Sequence, residues 1–76
     1  MGRLGPTSQK KFVKFLKHFG WKFVRQKGSH KVFKKAGYLR FVMFPDEKEI
    51  EKGVIKTNLN NMGITVEEYL RIMDKL

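Results

Sequence analysis

The feature that most constrains this chain is its punctuation. Gly20, Gly28, Gly37, Pro45 and Gly63 cut 76 residues into short pieces, and each piece carries its own apolar period. Before Gly20, Phe12, Phe15, Leu16 and Phe19 recur at spacings of three and four, which predicts a helix starting near Ser8. Lys10, Lys14 and Lys17 fall on its other side. Glycine is a natural stop because it takes the left-handed cap conformation cheaply. After Gly20 the composition turns aromatic and β-branched, which predicts a strand over Trp21–Gln26. Lys27-Gly28-Ser29 reads as a tight turn, with Gly28 supplying the positive φ that hairpins need. A second strand is expected over Ser29–Lys35. A third runs from Tyr38 to Phe44 and is ended by Pro45, which cannot donate to a ladder.

Beyond Pro45 the pattern returns to helix. Asp46–Lys52 reads as a charged loop. Ile55, Leu59 and Met62 then define a short helix closed by Gly63, with Asn58, Asn60 and Asn61 arguing against it. The last helix is better marked. Thr65 and Glu68 have capping-box spacing, Ile64 can staple onto Tyr69, and Val66, Tyr69, Leu70 and Met73 make one apolar face. The expected fold is therefore α+β: a helix, a three-stranded antiparallel sheet, a helix, and a short C-terminal helix. Residues 1–7 read as a flexible lead-in and 8–76 as one domain. Helices on one sheet face leave the other open to solvent or a ligand.

Charge indicates what that ligand is. The net charge is +10, but residues 1–40 hold twelve Lys/Arg and no Asp or Glu, whereas residues 41–76 hold five against seven. A field of that sign attracts polyanions, nucleic acid first among them. The chain has no cysteine, so disulfides and thiolate chemistry are excluded. Its longest apolar run, Phe41–Phe44, is far too short to span a membrane. Met1-Gly2 does not open a myristoylation signal, because Pro6 stands where Ser or Thr is needed. A soluble cytoplasmic protein with no membrane partner is expected.

Within the basic half, Gly28-Ser29-His30 draws attention to His30. Side chains alternate along a strand, so His30 points away from Phe33 and the core, onto the open face. There Arg25, Lys27, Lys31 and Lys34 would grip phosphate, Gly28 and Ser29 would shape the turn, and Lys10 and Lys14 would add helix contacts. RNA carries its own nucleophile, the 2′-hydroxyl. An imidazole can take that proton, or deliver one to the leaving 5′-oxygen. No metal or cofactor is required, and a metal site is hard to assemble with no Cys, two histidines far apart in sequence, and acids clustered in the 46–51 loop and the last helix. The residues alone leave a second reading open, that His30 is a polar residue on a basic hairpin. His18, beside the lysine side of the first helix, reads as solvated. Ser29 lacks a His–Asp pair to make it a nucleophile.

Gly20-Trp21, Arg25, Gly28-Ser29-His30 and Phe33 resemble the HicA (YcfA-like) family of toxin mRNA interferases. The resemblance continues through Pro45, Glu49-Ile50, Gly53 and Met62-Gly63-Ile64, and covers roughly residues 8–73. It implies a double-stranded-RNA-binding-domain-like fold and ribosome-independent cleavage of mRNA, with His30 catalytic. It also implies membership of a type II toxin–antitoxin pair, with a HicB-type antitoxin covering the active face. Where many members carry a second histidine after the strand-ending proline, Asp46-Glu47 stand here. The loop from Pro45 to Gly53 is shorter than usual, and Val54 replaces a frequent threonine cap. Two other functions fit the charge: a non-catalytic RNA-binding module, and a protein-interaction domain answering an acidic partner.

Overall fold

The computed structural model describes residues 3–76. Of the expected lead-in, Met1 and Gly2 lie outside the described residues. Leu4 packs against the core, and Thr7–Ser8 (β1) pairs antiparallel with Glu49–Ile50 (β5). Helix α1 runs Gln9–His18, its N-cap Ser8 accepting from the Lys11 N–H at 3.2 Å. Gly20, at φ 85°, turns the chain out of the helix, and the Trp21 N–H closes back on the Leu16 carbonyl.

The three expected strands form an antiparallel sheet in the order β2 (Lys22–Lys27), β3 (His30–Lys34), β4 (Val42–Pro45). Lys27 pairs with His30, so Gly28-Ser29 is a two-residue hairpin loop, and Gly28 has φ 61°. The third strand starts four residues later than the sequence suggests. Tyr38 is held instead by the Trp21 ring, 5.1 Å away, and by the Lys35 ammonium over its face. A bulge between Phe23 and Arg25 shifts the β2 register.

Two helices follow. Helix α2 spans Lys52–Met62, so it begins ahead of Gly53 and is longer than expected, and Gly63 caps it at φ 75°. Helix α3 spans Val66–Met73, with Thr65 Oγ1 accepting from the Glu68 N–H at 3.1 Å, as the capping spacing predicts. The asparagine that argued against α2 explains how it docks. Buried Asn58 accepts from the Met43 N–H at 3.3 Å and donates to the Met43 carbonyl at 3.0 Å, pinning α2 along β4.

The core lies between the helices and one sheet face. Phe12, Phe15, Leu16, Phe33, Val42, Phe44, Ile55, Leu59 and Tyr69 are all buried there. Its rings meet edge-on or offset, as in Phe12–Phe44 at 5.4 Å and Phe15–Tyr69 at 4.8 Å. Burial pushes the Tyr69 hydroxyl up to about 12. This is the α+β arrangement that the sequence predicts.

Candidate nucleic-acid interface and active site

The register sorts side chains by face, because cross-strand partners project together. Phe33 pairs with Phe23 and Val42, on the core face. His30 pairs with Lys27 and Pro45, and Val32 pairs with Arg25 and Met43, on the opposite face. Lys34 shares their parity on β3. The β2 bulge is what brings Arg25 here: two residues from core-facing Phe23, strict alternation would turn it inward.

Arg25, Lys27, His30 and Lys34 thus share one face. His30 is partly buried at the first position of β3, and its imidazole has no hydrogen-bond partner among the described residues. Val32, 3% exposed, lies outside the main core and is flanked across the ladders by Arg25 and by half-exposed Met43. The face is therefore cationic around a small apolar centre.

Lys31 goes elsewhere. The alternation that separates His30 from Phe33 also separates it from Lys31, which points to the helix side. Its Nζ donates to Gln9 Oε1 at 2.7 Å and sits 3.5 Å from Asp46 Oδ1. Gln9 and Gln26 also donate to the Asp46 carboxylate, at 2.9 and 3.2 Å. The Gln9 hydrogen bond is the largest influence holding that carboxyl below its usual range; desolvation opposes it, and the Lys31 charge and the hydrogen bonds from Gln26 and Lys31 add to the lowering. The Asp46 N–H meanwhile donates to the Ser29 carbonyl at 2.7 Å, tying down the hairpin loop beside His30. Asp46-Glu47 thus act here as a brace for the loop.

Lys10, Lys14 and Lys17 line a groove of about 900 Å3 along α1, with Lys31, Lys48 and the 46–48 loop. It belongs to the helix layer, across the sheet from His30. His18 packs edge-on against Phe19 at 5.2 Å and lines neither this groove nor the cleft at His30.

That cleft holds about 460 Å3. Its sheet wall is His30, Met43 and Pro45, and its other wall is the start of α2: Glu51, Gly53, Val54, Thr57 and Asn58. Sequence reasoning did not bring these α2 residues to His30. The signal available was Gly53, whose missing side chain leaves the wall open.

A family model described as the HicA toxin of bacterial toxin–antitoxin systems matches residues 10–64, which span α1 through α2 and include His30. This chain belongs to the HicA toxin family. The HicA match stops short of α3, whose Tyr69 and Met73 nonetheless complete the core. Neither a curated protein nor a solved structure matches the chain significantly. As a HicA toxin it comes from a class that works opposite an antitoxin. No helix among the described residues is long and apolar enough to cross a membrane.

Proposed function

We propose that this HicA protein is a metal-independent endoribonuclease that cuts mRNA in the cytoplasm through His30, restrained by a HicB-type antitoxin. The observation that carries this reading is the company His30 keeps. An imidazole without a hydrogen-bond partner among the described residues stands at a cleft, on the face that also bears Arg25, Lys27 and Lys34. These cations would hold the phosphodiester and offset charge building on its non-bridging oxygens. The 2′-oxygen attacks phosphorus, the bond to the 5′-oxygen breaks, and the products are a 2′,3′-cyclic phosphate and a 5′-hydroxyl. One proton leaves the 2′-oxygen and one arrives at the 5′-oxygen, so the substrate supplies the nucleophile and the protein supplies proton transfer.

A second reading, RNA binding without cleavage, is favoured by the lysine groove along α1, which lies away from His30. One assay separates them: cleavage of a labelled single-stranded RNA in EDTA, beside His30→Ala and an all-2′-deoxy copy. Cleavage of the ribose strand alone is expected, with His30→Ala slower by about 10²–10⁴. A folded His30→Ala protein that cuts like wild type would overturn the assignment, and tight binding without cutting would favour the second reading.

A further inference from the structure

The cleft at His30 poses a proton problem. Transesterification needs a base at the 2′-oxygen and an acid at the 5′-oxygen, and a single group cannot be both in one concerted step. Of the eight residues lining the cleft, only His30 and Glu51 carry an acid–base side chain; the others are Met43, Pro45, Gly53, Val54, Thr57 and Asn58.

The fold gives Glu51 only a weak role. It occupies the N-cap of α2, where Ser, Thr, Asp or Asn would satisfy an orphan N–H. Its carboxylate makes no such bond and has no ion-pair partner among the described residues. It is exposed, while its neighbour Ile50 anchors in the core. A carboxylate at a helix N-terminus gains modestly from the helix dipole, but a negative charge in a phosphate-binding cleft weakens substrate binding, so affinity does not account for it.

We infer that Glu51 is the general base and His30 the general acid of RNA cleavage. This rests on the ribonuclease reading. The Glu51 carboxylate takes the 2′-hydroxyl proton as the oxygen closes on phosphorus. The imidazolium of His30 gives its proton to the departing 5′-oxygen. The cyclic phosphate keeps its single negative charge, one proton has moved to Glu51 and one has left His30, and exchange with water restores both.

The test measures kcat and KM against pH for the full chain on a labelled single-stranded RNA. The proteins are wild type, Glu51→Gln and Glu49→Gln, with folding checked by circular dichroism. Glu49 is an exposed acid two residues away that does not line the cleft, so its variant makes the same change in net charge. Glu51→Gln is expected to lower kcat by about 10²-fold or more, flatten the acid limb of the kcat profile, and leave KM unchanged or lower. Glu49→Gln should keep wild-type kcat and pH profile. The assignment falls if Glu51→Gln keeps kcat within about twofold with the same pH profile, or if both variants change alike. Wild type that cuts no RNA would instead overturn the ribonuclease reading itself, and Glu51 with it.

Discussion

The two faces of the three-stranded sheet are made by the same strands and obey opposite rules. On the helix side, Phe33, Val42 and Phe44 are fully enclosed, and Phe33 stacks on Phe44 at 5.6 Å while Phe12 meets Phe44 edge-on. On the other side Val32 alone is buried, Met43 is 40% exposed, and the remaining positions are Lys22, Arg25, Lys27, His30, Lys34 and Pro45. One face holds the stability and the other holds charge that folding does not use. That division lets a domain this small carry a concentrated cationic site, because the charges are kept a strand's thickness from the core.

The comparison can be broken from its core side first. Phe44→Ala removes a ring packed against two others, and should lower unfolding free energy by about 3–5 kcal/mol. That is a large share of what a domain of this size has, on the order of 5–10 kcal/mol. Urea denaturation followed by circular dichroism should show a mostly unfolded or barely folded variant; a loss below about 1 kcal/mol would mean that Phe44 is not the keystone its contacts indicate. Asn58→Ala comes next, at about 2 kcal/mol, because both the N–H and the carbonyl of Met43 lose their partner. Asn58→Asp should fail to restore it, since a carboxylate cannot donate to the Met43 carbonyl; full stability in either variant would remove Asn58 as the clamp of α2. The open face should respond least in stability and most in binding. Arg25→Ala, Lys27→Ala and Lys34→Ala should each change stability by no more than about 0.5 kcal/mol. Each should lower the salt slope of single-stranded RNA affinity by about 0.7. A charge whose removal destabilises the fold but leaves that slope intact does not belong to the open face.

Much of this was legible in the sequence, for identifiable reasons. Local signals decide local structure: the α1 stripe, the Gly28-Ser29 loop and the Thr65 cap lie where period and cap chemistry put them. What escaped depends on distant partners. The β1–β5 ladder is two residues long on each side and leaves no periodic trace. Asn58 reads as a poor helix residue until Met43 stands opposite. Glu51 and His30 are 21 positions apart in the chain and share a cleft only because α2 runs back along β4. The bulge at β2 is the subtlest case. Alternation from Phe23 would assign Arg25 to the core side, and one extra residue reverses this. Lys31 is the converse: its parity alone sets it apart from His30, and proximity in sequence is a poor guide to sharing a face.

The clamp on Met43 also decides how the sheet meets other chains. Asn58 occupies both hydrogen-bonding groups of Met43 on the outer side of β4, so a further strand cannot pair there. The other border, β2, has no strand beyond it among the described residues, and it displays Phe23 and Val24 half exposed. Such a border invites strand-to-strand self-association unless charge repels like copies. Lys22, Arg25 and Lys27 supply that repulsion along the whole length of β2. The residues offered to a polyanion therefore also act as gatekeepers of colloidal stability. When a polyanion neutralises them, the repulsion that keeps copies of the toxin apart along this border is lost.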